Sequence, residues 1–229
     1  MILRNAFGVP GFHNWGPHNK GHATAHAKGA EAMQHTLIIA HPNPRSFVAS
    51  LAVAYAEAAE ALGHKTIMRD LYGMAFDPCL KADEIPSAAG FAPRPDVVAE
   101  RLLLADTDVF ALFYPFWLNA PPAMLKGYLD RVFGFGFAYG KGNAGNEPLL
   151  TGRKLISFTA SGAPSEWVRK TGAWEAVRTL FDEHVAAVCG LTVVDHVHFG
   201  SVVPGIRGDV VARHQAAVRD AVARQFGPH

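Results

Sequence analysis

The sequence predicts an α/β three-layer sandwich: a five-stranded parallel sheet, order 2-1-3-4-5, with helices on both faces. Three observations predict it. Short, almost wholly apolar runs recur along the chain, as expected of strands buried on both faces. Each is followed by a segment whose apolar residues recur at helical spacing, and that alternation implies parallel pairing. The 229 residues are 49% apolar and 18% charged, a globular composition long enough for one well-buried domain.

His35–Ala40 (HTLIIA) reads as the first strand. Ser46 opens a helix with Val48, Leu51, Tyr55, Ala58 and Leu62 on one face, and Gly63 closes it. Lys65–Arg69 reads as the second strand. An irregular stretch from Asp70 to Pro95, with Pro78, Pro86, Pro93 and Pro95, is too long for an ordinary strand–helix loop and marks a functional excursion. Asp96–Ala105 reads as helical and Asp108–Tyr114 as the most hydrophobic strand. Pro122 suits the first position of the next helix, where Leu125, Tyr128, Leu129 and Val132 form an apolar face. Lys154–Thr159 is the fourth strand, Trp174–Val188 a helix, and Leu191–Phe199 a fifth strand interrupted by Asp195 and two histidines. Asp209–Phe226 closes the chain as an amphipathic helix.

Residues 1–34, rich in Gly, Ala and His without a period, are expected to be a disordered extension, leaving 35–229 as the domain. They lack the apolar core of a secretory signal, which with two cysteines outside any metal-ligand spacing leads to an expected cytoplasmic location and buried, reduced thiols. His13, His18, His22 and His26 lack Cys or carboxylate partners, so no metal site is expected. A formal charge of +1 argues against nucleic acid as partner, and no apolar run is long enough to span a membrane.

In a sheet of this order ligands bind beyond the carboxyl ends of the strands, at the switch point between the first and third. Three loops meet there. His41–Phe47 (HPNPRSF) leads into a helix N-terminus, a ready anion site; Ser46 offers a hydroxyl, and Arg45 or His41 a charge. Neither GxGxxG nor GxxxxGK[ST] is present, which counts against a Rossmann dinucleotide site and a nucleotide triphosphatase. Tyr114–Pro122 (YPFWLNAPP) runs from a core strand into Phe116 and Trp117, rings that need a ligand or a partner to cover them. Thr159–Trp167 (TASGAPSEW) combines small residues, which permit close backbone approach, with the hydroxyls of Thr159 and Ser161. Beyond the third crossover helix, GFGFAYGKGN places Tyr139 as a candidate wall for a flat substrate.

Three segments together resemble the NAD(P)H:quinone oxidoreductases, the flavodoxin-like group that includes DT-diaphorase: LIIAHPNPRSF, RDLYGMAFDPCLKADEI (Arg69–Ile85) and YPFWLNAPPAMLKGYLDRVFGFGFAY (Tyr114–Tyr139). The resemblance covers about residues 35 to 200. It implies a flavodoxin-like fold with a flavin at the switch point. His41, Arg45, Ser46, Phe47 and Val48 would lie near the phosphate-bearing chain. Pro115, Phe116, Trp117, Leu118 and Asn119 would border the isoalloxazine. Thr159, Ala160, Ser161, Gly162 and Ala163 would face its pyrimidine edge, with Tyr139 and Trp167 at the substrate pocket. It further implies FAD (FMN being the alternative), NAD(P)H as co-substrate, a quinone-like acceptor, and a homodimer with a shared active site. Two departures matter. Trp167 stands where the larger members carry a Tyr, with no His after it in RKTGAW, so no catalytic residue is assigned. TASG also replaces the usual double-glycine turn. GFAYGKG is similar to the flavoproteins that accompany bacterial potassium-efflux systems, which makes a transporter accessory subunit the alternative function.

Met33, just before the first strand, is a candidate translation start. N-terminal sequencing of the natively expressed protein tests this: a chain beginning at Met33 would support it, and an intact residue 1 would remove the idea.

Overall fold

A computed structural model describes residues 32–88, 90–143 and 145–228; the expectation of a disordered extension over 1–34 falls outside these up to residue 31, and its boundary is corrected by Gln34, which opens β1. The order of elements is β1 (Gln34–Ile39), α1 (Phe47–Ala61), β2 (Lys65–Asp70), α2 (Pro95–Leu103), β3 (Val109–Pro115), α3 (Ala123–Val132), β4 (Tyr139–Gly142), β5 (Gly145–Pro148), β6 (Lys154–Ala160), α4 (Ser165–Lys170), α5 (Ala173–Val177), α6 (Val185–Cys189), β7 (Thr192–Phe199) and α7 (Gly208–Phe226). A π-helical segment, Arg178–His184, joins α5 to α6. The main sheet runs β2-β1-β3-β6-β7, all parallel, which is the expected 2-1-3-4-5 among the five long strands. This is a flavodoxin-like arrangement.

Because side chains alternate along a strand, the sheet divides the core in two. Leu37, Ile39, Ala111, Phe113, Ile156 and Phe158 pack with Leu51 and Tyr55 of α1 and Val218 and Val222 of α7. Ile38, Phe110, Leu112, Tyr114 and Leu155 pack on the other face with Leu125 and Tyr128 of α3 and with Val168, Val177 and Ala186. Phe113 and Phe158, on adjacent strands, stack at 5.1 Å with planes 9° apart, and Tyr55 meets both edge-on.

Two sequence expectations are corrected. Pro122 is the N-cap of α3, with the helix beginning at Ala123. The glycine-rich segment after α3 runs into an antiparallel β4–β5 hairpin, an element the sequence reading did not assign. Cys79 is exposed, while Cys189 is buried and burial pushes its thiol up to about 11. Cys79 lies outside the core because it belongs to the excursion after β2, whose turn Asp77 holds by accepting from the Cys79 N–H.

That excursion is fastened to α3. A Cβ on Gly127 would lie 2.2 Å from the Pro78 carbonyl oxygen, so only glycine permits the crossing. Arg131, 3% exposed, donates to Glu84 at 2.7 Å, to Asp96 at 2.8 Å and to the Asp77 carbonyl at 2.6 Å. Removing one partner of a buried pair strands the other charge, at about 3–5 kcal/mol. Glu84→Ala is therefore expected to lower stability by about that much in urea unfolding. Asp83→Ala, which breaks only the exposed pair with Arg94, should change it by less than about 1 kcal/mol.

Candidate functional site

A cleft opens at the carboxyl ends of β1, β3 and β6, lined by His41, Phe47, Val48, Pro115, Phe116, Trp117, Ala160, Ser161, Gly162 and Val202. All but Val48, in the first turn of α1, and Val202 come from the three loops identified in the sequence. The cleft is where the sheet order reverses, so the loops after β1 and β3 diverge and leave a crevice.

Its first wall is the start of α1. Ser46 is the N-cap, and its side chain accepts from the Ala49 N–H. The hydroxyl oxygen thus caps the helix, and Ser46 is buried outside the cleft lining. The helix leaves the first-turn N–H groups of Phe47 and Val48 without intrahelical partners, and both residues line the cleft. Burial lowers the His41 pKa below the usual imidazole range. Its Nδ1 accepts from the Asn43 N–H at 3.0 Å, so near neutrality it offers a hydrogen bond from Nε2 rather than a charge. Arg45 turns into a neighbouring groove lined by Pro44, Arg45, Ser46, Ala49, Ser50, Val53 and Gln215.

The second wall is a tight turn after β3. Phe116 N–H donates to the Ala160 carbonyl at 2.7 Å, while Trp117 and Ala120 exchange both backbone hydrogen bonds. Leu118 and Asn119 between them have φ of 52° and 57°. These are left-handed conformations that cost a leucine about 1 kcal/mol or more. The turn holds Trp117, 44% exposed, over the opening beside His41 at 5.6 Å between rings. Leu118 is fully exposed and, like Asn119, does not line the cleft.

The floor is the loop after β6. Ser161 N–H donates to Phe199, and the carbonyls of Ser161 and Ala163 accept from Val202 and Ser201. This leaves the Gly162 and Ala163 N–H groups without partners among the described residues. Thr159, expected to offer its hydroxyl to a ligand, is fully buried beneath the cleft; its Oγ1 is shared by His196 and His198 at 2.9 Å each. Tyr139 and Trp167 do not reach the cleft of their own chain. Tyr139 packs on Phe135, and Trp167 is 48% exposed on α4.

The sequence reading missed Val202 and, below the floor, a polar cluster of Asp182, His196 and His198. His198 lies against Phe116 at 4.7 Å, and Trp174 covers His196 at 4.6 Å. The only signal was the polar interruption of an otherwise apolar strand. Among the described residues no cluster of His, Cys, Asp and Glu is arranged for a metal ion, and no helix is long and apolar enough to cross a membrane.

Comparison with known proteins agrees with the fold. A sequence profile described as flavodoxin-like fold matches residues 33–223. A Haemophilus influenzae protein named as an NAD(P)H oxidoreductase is 32% identical over 171 residues, covering 74% of this chain and 85% of the relative. NAD(P)H dehydrogenase [quinone] 1 of Cavia porcellus is 26% identical over 199 residues, covering 77% and 72%. Among solved structures, an NAD(P)H:quinone oxidoreductase from Methanothermobacter marburgensis superposes with a TM-score of 0.73 at 26% identity, covering 83% and 98%.

The floor depends on Gly200. A Cβ there would lie 2.3 Å from the Ser165 nitrogen and 2.9 Å from the Ala163 carbonyl oxygen, contacts that backbone cannot yield cheaply. Gly200→Ala is expected to cost about 1–3 kcal/mol in thermal unfolding, and unchanged stability would show that the loop does not pack as described.

Proposed function

The chain belongs to the flavodoxin-like family that includes the NAD(P)H:quinone oxidoreductases, and on that premise we propose that it is a flavin-dependent NAD(P)H dehydrogenase acting on quinone-like acceptors. The observation that carries the reading is the cleft itself. A slot beside Trp117, lined by both apolar and polar groups, is flanked on one side by the N-terminus of α1 and on the other by two unpaired backbone N–H groups. Those parts suit a flat ring system with a phosphate at one end and a hydrogen-bonding edge at the other.

The flavin, when bound, supplies acceptance and donation of a hydride. Phe47 and Val48 N–H would hold its phosphate, supported by the helix dipole and by the His41 Nε2–H. Trp117, Phe116 and Pro115 would border the ring and exclude water from one side. Gly162 and Ala163 N–H would donate to the pyrimidine edge, where negative charge gathers on reduction, by the logic of an oxyanion hole. FAD is the form we favour: the groove that holds Arg45 adjoins the phosphate site and offers a cation and an apolar floor to a second phosphate and an adenosine, which FMN would leave empty. Tyr139 and Trp167 would serve the cleft of a second subunit, which makes the active unit a homodimer. Nicotinamide and quinone would use one pocket in turn. No observation favours the transporter-accessory alternative.

Flavin released by heat from the purified protein, identified by chromatography, is expected to be FAD; FMN would correct the form, and a chain that takes up neither would remove the proposal. Steady-state lines should run parallel as both substrates are varied, whereas intersecting lines count against a shared pocket. Trp117→Ala should weaken flavin binding about tenfold through lost ring packing, measured by fluorescence titration; equal affinity would refute the role of the ring.

A further inference from the structure

Beneath the cleft floor a chain of hydrogen bonds links five side chains. Asp182 Oδ2 meets His196 Nδ1 at 2.6 Å, and His196 Nε2 meets Thr159 Oγ1 at 2.9 Å. Thr159 Oγ1 also meets His198 Nδ1 at 2.9 Å, and His198 Nε2 meets Ser161 Oγ at 3.0 Å. Ser161 Oγ–H donates onward to the Ala163 carbonyl at 2.8 Å. Ser161 lines the cleft. Asp182 and Thr159 are essentially inaccessible.

Two irregularities build this chain. Between Leu155 and Ile156 the β6–β7 register shifts: Leu155 faces Val193, but Ile156 faces Asp195. Without that bulge His196 would lie opposite Phe158, on the α1/α7 face. With it His196 lies opposite Ser157 and His198 opposite Thr159, on the face toward Asp182. A bulge re-aims every side chain after it. The second irregularity is the π-helical segment that carries Asp182, a form that recurs at functional sites. Ser157 fixes the other Asp182 oxygen at 3.2 Å.

The proton count defines what the chain can do. Five contacts need five hydrogens. With Asp182 ionised and both imidazoles neutral, Thr159, Ser161 and the two rings supply only four. A fully bonded chain therefore holds one proton more and is neutral as a whole. That proton has two resting places. In one, His196 is doubly protonated beside Asp182, and Thr159 O–H donates to His198. In the other, Thr159 O–H donates to His196, and His198 is doubly protonated beneath the cleft. One shift through the Thr159 hydroxyl interconverts them.

We infer that Asp182, His196, Thr159, His198 and Ser161 form a proton relay that delivers one proton to the reaction cleft. This rests on the reductase reading above. Two-electron reduction of a quinone takes a hydride and a proton, and the relay supplies the proton. The His198 Nε2–H bond breaks, a new Ser161 Oγ–H bond forms, and the hydrogen Ser161 held passes to the anionic oxygen of the acceptor. The relay is left with a charge of −1 and recovers its proton from water through half-buried His198. Burial first, then His196 and Arg169 of α4, lower the pKa of His198 to about 4. Of the two resting places, the one on His196 lies against the Asp182 carboxylate at 2.6 Å, and the one on His198 lies nearer the cleft, where an anion would draw the proton outward. The charged and titratable groups facing the relay are Arg169, Asp182 and the buried Tyr114 hydroxyl, which has no hydrogen-bond partner among the described residues and lies in the field of Asp182.

Thr159→Val cuts the chain between the two rings at nearly constant volume. It is expected to slow quinone reduction about a hundredfold, while flavin affinity and reduction of ferricyanide, which takes electrons without a proton, stay within about twofold. Equal loss with both acceptors, or none with quinone, would overturn the relay. Nitrogen NMR of the imidazoles in flavin-free wild-type protein supplies a readout that needs neither turnover nor any variant to fold. The hydrogen count requires protons on both nitrogens of His196 in the wild type; a singly protonated His196 would overturn it. Failure of the reductase reading shows differently, as absent flavin or NAD(P)H oxidation with the wild type.

Discussion

The structure is registered on one strand. β3 is buried along its whole length, paired to β1 on one side and β6 on the other. Its alternate side chains feed both cores, so a slip of one residue would exchange the two. The same register sets the site. Tyr114 and Pro115 stand opposite Thr159 and Ala160, and Phe116 closes the ladder onto Ala160. Past that point the backbone groups have no neighbouring strand to bond. The loop after β3 satisfies its own in a two-residue turn, and the loop after β6 satisfies most of its groups against β7 and the segment after it. The cleft is the volume between these two solutions.

Polar groups inside the protein fall into two kinds. Arg131 with Glu84 and Asp96 is fully satisfied, fastening the long excursion after β2 to α3. The Asp182–His196–Thr159–His198–Ser161 chain is satisfied only at one protonation level, and its hydroxyls can each donate or accept. The first is suited to fastening, the second to carrying a proton. His35 illustrates a third outcome. Its Nδ1 bonds Tyr55 at 2.7 Å, burial with the nearby His64 and Lys154 lowers it to about 3, and it sits neutral at the opposite end of the sheet.

The absence of a histidine after the third loop removed acid–base machinery from the sequence reading. The fold returns two imidazoles to the same neighbourhood from β7, distant in sequence but adjacent in the sheet. Linear motifs locate groups carried on one loop; they are blind to groups carried on the strand that pairs beneath it.

Apolar runs and helical periodicity determined the layers, the strand order and the three loops that make the cleft, because hydrophobic burial is written in local pattern. Eight of the residues named from those loops line the cleft for the same reason: a loop between a known strand and a known helix has one place to be. Which way individual groups point was decided only in three dimensions. Ser46 caps its helix, Thr159 turns inward, and His41 loses its charge to burial. The β6–β7 bulge and the π-helical segment leave no periodic mark, since each is a single departure from a repeat that tertiary packing holds in place. That is why His196 and His198 read in the sequence as flaws in a strand and in the structure as parts of a network.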